Sequence, residues 1–249
     1  MVTITSNDSD IQGRRVRLRP KPAAALTIYG SGIITPLRNT NGLVWPYQPT
    51  ITYSQDINYT SIELIHTNQE MYAYTRTNAV KLSVDGAFSV QNQTEGVYAI
   101  ACIHFLQTVS KMNFGSTDTN AGTPPPILLF DAYGDFMFNA LPVIVTNFSV
   151  TLPNDVDYVP INRAYLSTDN SNGSTSIDYT KTDIAALGAG YDFLQQSQSG
   201  SIWLPAMFNI SVSITVQNTP AVLRNNFNLD QFRSGQLMQN NNNGTAGWI

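Results

Sequence analysis

From Asn209 to Gln217 the chain alternates without interruption. Ile210, Val212, Ile214 and Val216 fall on one side of an extended backbone, and Ser211, Ser213, Thr215 and Gln217 on the other. Successive side chains of a strand point to opposite faces, so a period of two predicts a half-buried strand. The pattern returns in KLSV and AFSV on either side of Asp85-Gly86, and an Asp-Gly pair so flanked predicts a hairpin turn. Further strands are predicted at 59–66, with Ile62, Leu64 and His66 on one face, at 71–77 and at 79–84. The runs ILLFDAYG and PVIVTNFSVTLP add two more; in the second, Val143, Val145 and Phe148 with Ile144 predict a strand buried on one face. A sheet is therefore the frame of the molecule.

One segment breaks the period. Val97, Ala101, Phe105, Val109 and Met112 recur at spacings of three and four, and Tyr98, Cys102 and Leu106 widen the stripe. Thr94 as N-cap, Glu95 in the first turn and Gly115 beyond the end predict a helix over 94–112, about five turns long. From Ala23 to Ile57, glycines and prolines come so often that only short extended pieces and turns are expected, with no helix. Residues 163–201, rich in Ser, Asn, Gly and Gln, suggest an insertion or long hairpin tip, and 236–249 a flexible tail. The body between is 26–235.

Charge is scarce and uneven. Charged residues make up 12% of the chain, against roughly 25% in an ordinary domain. Ser, Thr, Asn and Gln number 83 of 249, so neutral polar groups replace the missing charge. A surface of that kind suits contact with other protein. The 26 aromatic residues and the net charge of −4 exclude charge-driven disorder, and the acidic balance excludes a strongly basic nucleic-acid binder. No apolar run approaches a membrane helix. Residues 1–25 carry Arg14, Arg15, Arg17, Arg19 and Lys21 against Asp8 and Asp10, whereas the remainder is acidic. In RRVRLRPKP the alternation of Arg with Val16 and Leu18, ended by prolines, predicts an extended edge or N-terminal arm, either a solvated tail or an arm that lies on an acidic neighbour or a passing phosphate. The lone Cys102 precludes an intrachain disulfide, and MVTITSNDSD lacks a signal-peptide core, so synthesis in a cytoplasm without export is expected.

Constellations for chemistry are sparse. His66 and His104 have no neighbours at metal-ligand spacing and read as structural. Asp169 to Gly173 resembles a calcium loop, but its glycine comes one position early and no Glu closes it. Asn154 to Asp157 reads as a capped turn rather than a cation site. There is no Gly-x-Ser-x-Gly, and Gly30-Ser-Gly32 lacks the third glycine of a dinucleotide loop. No catalytic, cofactor-binding or metal residue is assigned, and no enzyme activity is expected. The dense aromatics Trp45, Tyr47, Tyr53, Tyr59, Tyr72 and Tyr74 leave open a carbohydrate-binding face or an interface.

Several segments taken together carry a resemblance. In order they are RLRPKPAAA, YGSGIITPLRNTNGLVWPYQPTIT, VYAIACIHFLQTVSKMNFG, GTPPPILLFDAYGDFMFNALPVIVTNFSVTLPNDVDYV and WLPAMFNISVSITVQNTPAVLRNNFNLDQFRSG. The chain resembles the baseplate tail-tube junction proteins, or tail-tube initiators, of contractile-tailed bacteriophages over nearly all its length outside 163–201 and the two ends. The resemblance implies a mainly β (α+β) fold, a tail-tube-like β-barrel or sandwich with one long packed helix. It implies six copies in a ring at the baseplate hub, with strands joined across subunits into a continuous inner wall. The ring would nucleate the tail tube in the host cytoplasm and become part of the virion, its lumen a stretch of the DNA ejection channel. Partners implied are further copies of itself, the hub proteins, an adjacent tube-junction or tail-tube ring and the tape-measure protein. DNA passes only in transit, and no membrane is involved. Candidate contact residues are the arm (Arg14, Arg15, Arg17, Arg19, Lys21) and the C-terminal set Phe227, Leu229, Phe232 and Arg233. The alternatives are a major tail-tube protein and a carbohydrate-binding tail-tip module.

Overall fold

A computed structural model of the chain describes residues 15–29, 32–115, 120–134, 137–162, 201–239 and 246–248. The fold is mainly β. Its frame is an antiparallel sheet of seven strands: β1 (Arg17–Pro20), β2 (Leu43–Val44), β3 (Thr50–Ser54), β6 (Lys81–Ser89), β7 (Leu128–Ala132), β8 (Phe138–Thr151) and β11 (Met207–Val216). They lie in the order β2-β1-β7-β8-β11-β6-β3. Two separate two-stranded ladders accompany it, β4 (Ile57–Ile62) with β5 (Met71–Thr77), and β9 (Tyr158–Asn162) with β10 (Ser201–Pro205).

The sheet is not a closed barrel, yet it is far from flat. Its outermost strands, β2 and β3, are joined by residues 45–49 alone. Seven flat strands would set those edges about 29 Å apart. The intervening chain spans at most about 21 Å when fully extended. The sheet must therefore curl until its edges approach. Trp45, at the start of this link, fills the space between them: its N–H donates to Val16 O (3.3 Å), and its buried indole lies on Gly86 of β6, where any Cβ would overlap it. This overturns the hairpin expected at Asp85-Gly86. β6 runs straight through, pairing Asp85 with Ser211 and Gly86 with Ile210. The glycine serves a close approach, not a positive φ.

Inside the curl lies the core. Ile210, Val212, Ile214 and Val216 are all buried, as their alternation predicts. In β8 the apolar positions change parity, from Val143 and Val145 to Phe148 and Val150, and a bulge absorbs the change. Thr146 is the extra residue between the Ser213–Asn147 and Ile214–Val145 pairs, and its hydroxyl donates to Ser213 O (3.0 Å). All four apolar side chains thus meet the same core.

The long helix, α3 (Gln93–Val109), closes the inner side and buries Val97, Ala101, Cys102, Phe105, Leu106 and Val109. It starts and stops earlier than its stripe suggests. Asn92, not Thr94, is the N-cap: its side chain accepts from the Glu95 N–H (2.9 Å), while Glu95 Oε2 accepts from the Gln91 N–H (2.9 Å). Met112 lies past the end and is exposed. Two short helices occur where none was expected, α1 (Pro22–Tyr29) and α2 (Pro36–Thr40). Each begins on a proline, whose missing N–H costs nothing in a first turn. α2 ends with Asn41 at φ 51° and the Gly42 N–H donating to Leu37 O (2.9 Å).

Both termini differ from expectation. The segment read as an arm is, at Arg17–Pro20, an inner strand paired with β2 on one side and β7 on the other. Val16 and Leu18, the apolar half of its alternation, are each 1% exposed in the core. The tail read as flexible from 236 contains α6 (Gln236–Gln239), with Leu237 buried, and a 3-10 turn at Ala246–Trp248 that packs back on the body. It follows α4 (Pro220–Asn225) and α5 (Leu229–Arg233). The polar stretch 163–200 lies outside the described residues; its flanks, Asn162 and Ser201, pair with each other in the β9–β10 ladder.

Candidate assembly surface

Four neighbouring strands, the 144–151 half of β8 followed by β11, β6 and β3, turn one face to the core and the other outward. The outward rows follow from the register. Asn147, Ser213, Ser83 and Thr52 stand side by side, and so do Ser149, Ser211, Asp85 and Thr50. A third row is Ile144, Thr215, Lys81 and Ser54. Small hydroxyl and amide side chains dominate. The only cation in these rows, Lys81, is engaged by Asp56 at 2.9 Å. The result is a hydrogen-bonding surface almost without charge, and it is the polar half of the same alternation that built the core.

The edges of this four-stranded stretch are open. β3 pairs with β6 alone, and residues 144–151 of β8 pair with β11 but have no partner on the other side among the described residues, because β7 covers only Phe138–Val143. By contrast, the short edge at β2 is blocked. Tyr98 of α3 accepts from the Val44 N–H (2.9 Å) and donates to Val44 O (3.0 Å), occupying both groups of that residue. Burial raises the Tyr98 hydroxyl pKa well above its ordinary value, Cys102 nearby adds to the rise and the bonds to Val44 and Thr40 oppose it, so the phenol stays protonated and able to donate. Burial likewise raises the Cys102 thiol, which makes it an inert core residue.

Beyond β3 and β6 the chain continues as a ribbon, β4 with β5, that has no core. Every residue of β5 is exposed, and β4 has only Asn58 half-buried. A bulge at Asn58/Tyr59 puts Ile57, Tyr59, Tyr72 and Tyr74 on one side, with the rings of Tyr59 and Tyr74 edge-to-face at 5.9 Å. The ribbon is joined to the body by polar contacts: the Asn78 N–H donates to Asp56 O (2.9 Å), and Gln55 Nε2 to Asn78 O (3.1 Å). β4 ends at Ile62, short of the 59–66 expected; Leu64 and His66 lie in the tip, His66 at φ 64°.

The contact residues expected from sequence do not form one site. Arg14 lies outside the described residues, Arg15 is half-buried and Lys21 is exposed. Arg17 and Arg19 belong to the inner strand. Arg19 binds Asp131 at 2.6 Å, and Asp131 also accepts from the Ala140 N–H (2.7 Å), so this arginine pins the irregular β7–β8 corner. Phe227, Leu229, Phe232 and Arg233 do come together, as an exposed patch on α5 and the turn before it, with the Phe227 and Phe232 rings 5.9 Å apart. Arg233 makes only a surface pair with Asp230.

Of the aromatic set, Trp45 is buried and takes no part in an outer face. The Asp169 loop is outside the described residues. Among the described residues there is no group of three potential metal ligands, and no helix is long and apolar enough to cross a membrane. His104 is exposed on α3. No protein-family model matches the sequence, and no curated protein matches it significantly. What sequence reasoning missed are the free edges of β3 and β8. Their signal was the polar half of each alternating run, which marks an outer face but says nothing of which strand lies at the rim.

Proposed function

We propose that the chain is a structural ring subunit of a contractile phage tail, forming a homohexamer where the baseplate hub meets the tail tube. The single observation that carries this reading is the pair of edges left free among the described residues. β8, β11, β6 and β3 alternate in direction, so β3 runs opposite to β8. Rotation about a ring axis preserves strand direction. The β3 edge of one copy then meets the β8 edge of the next as an antiparallel pair, and the same head-to-tail contact repeats until the ring closes. The sixfold count comes from the family resemblance.

In such a ring the charge-poor rows line the channel. Affinity for a nucleic-acid backbone comes mainly from Lys and Arg, and the one lysine of these rows is already paired, so DNA passes without being held. The outer helices and the ribbon remain for the hub, the tape-measure protein and the adjacent tube-junction or tail-tube ring, and the completed ring templates the first ring of the tube. Its place is the baseplate-proximal virion tail. It works by assembly, not catalysis.

Paired cysteines test the ring contact. One is placed at Thr50, Thr52 or Ser54 and the other at Asn147, Ser149 or Thr151. Within one copy β3 and β8 are separated by two strands, about 14 Å, too far for a disulfide. Oxidation therefore yields crosslinked ladders ending at six if the reading holds, with buried Cys102 as bystander. Unlinked monomer at every pairing, with hub proteins present, overturns it. Long tubes grown from the chain alone point instead to a major tube protein. Glycan binding without ring formation points to a tail-tip module, a reading weakened by the burial of Trp45.

A further inference from the structure

Among the described residues the rim strand β3 is hydrogen-bonded on one side only, and besides that ladder and the half-buried Ile51 it is held by the last described turn of the chain. Trp248 stacks on Phe138 at the start of β8 (ring centroids 4.5 Å apart, 26° between planes) and meets Tyr53 of β3 edge-to-face (5.8 Å, 88°). Its Nε1–H donates to Met137 O (2.7 Å). Phe138 in turn packs on Phe130 of β7 (5.5 Å), so one row of rings runs from the middle of the sheet to its rim. Behind the indole, Gly247 is buried against Met238 of α6, with no room for a Cβ. Tyr53 itself remains largely exposed, so Trp248 is its one aromatic partner among the described residues.

We infer that Trp248 is a positioning residue: it clamps β3 through Tyr53 and so holds the free edge in the alignment that a second copy of the chain must meet. The clamp itself stands on the geometry of one subunit. Its consequence for assembly rests on the ring reading above.

Hydrogen exchange of the full-length chain separates the two. In Trp248→Ala the protected amides of Thr50–Ser54 exchange about tenfold faster or more, while those of Met207–Val216 change little, since β11 is paired on both sides. Trp248→Phe keeps the stack on Phe138 and restores most of the protection. Tyr53→Ala breaks the same contact from the exposed side and loosens β3 in the same way, which keeps the test decisive if Trp248→Ala folds poorly. Unchanged protection of Thr50–Ser54 in Tyr53→Ala, or equal loosening of β3 and β11 in Trp248→Ala, overturns the clamp. If β3 alone loosens but the wild-type chain never forms rings, the clamp stands and the ring reading falls. If rings form in the wild type, Trp248→Ala slows their formation and Trp248→Phe restores it.

Discussion

Two hairpins of this molecule are built from one continuous length of chain and differ in almost everything else. β3 and β6 are extended by β4 and β5, so the pairing runs on past the polar junction at Gln55, Asp56 and Asn78. On the body side Leu82, Val84 and Phe88 are buried; on the ribbon side every position of β5 is exposed. The same backbone geometry is thus stabilised by a core in one half and by cross-strand contacts alone in the other. An isolated two-stranded ladder is marginal in water, so the ribbon is the part of the subunit that gains most from a partner.

The largest way to test that contrast is to damage the body. Phe105 is fully buried on α3, in stacking range of Tyr29 (6.5 Å). Phe105→Ala removes a large side chain from a packed interior and is expected to cost about 3–5 kcal/mol in urea unfolding. A smaller loss would mean that the curl of the sheet collapses easily onto a cavity. Next comes Asp131→Ala, which strands Arg19 and the Ala140 N–H together and is expected to cost about 1–3 kcal/mol. Asp131→Asn keeps an acceptor and falls below that.

Alkali offers a graded version of the same test, because the buried groups whose protonation the fold enforces all lie in the body. Burial raises the pKa of Cys102, Tyr98 and Tyr29, opposed at Tyr29 by Arg19 and Arg17. A raised pKa means that the folded state holds its proton longer than the unfolded chain. The stabilisation is therefore complete below the unfolded values, about 8.5 for Cys and 10 for Tyr, and is lost as pH rises above them. Thermal melting is expected to be flat to about pH 8 and then to fall, each group contributing up to about 1.4 kcal/mol per pH unit. Cys102→Ala delays the onset to about pH 10, and a melt unchanged by that substitution would contradict the burial argument.

What was legible in the sequence is what depends on one element at a time. Alternation located the core of β11, and the three-and-four stripe located α3, since both report a single face. The misreadings arose where a second element decided the outcome. Gly86 beside an aspartate looks like a turn until Trp45, forty-one positions earlier, is found in the space its missing side chain leaves. RRVRLRP looks like an arm until Leu18 is seen between β2 and β7. α1 and α2 are hidden because a proline that opens a helix looks, in sequence, the same as one that breaks it. The rim strands are harder still: edge status belongs to the whole sheet order, and no local pattern encodes it.

The smallest effect is the most discriminating. Tyr59→Ala or Tyr74→Ala removes one ring of the edge-to-face pair on the ribbon, where neither ring buries a core face. Surface changes away from caps and buried groups usually stay within about 0.5 kcal/mol, so the melting of the isolated subunit is expected to be nearly unchanged. Buried aromatic anchors at an interface, in contrast, often cost about 2 kcal/mol or more when truncated. If the ribbon is a contact element, sedimentation of the assembled form shifts toward free subunit in both variants while the monomer melts as before. A monomer destabilised by about 2 kcal/mol would instead mean that the ribbon packs on the body, and the contrast between the two hairpins would fail. Variants that melt and assemble like the wild type would leave the tyrosine face without an interface role, and the contact would have to be carried by the free edges and the patch on α5 and the turn before it.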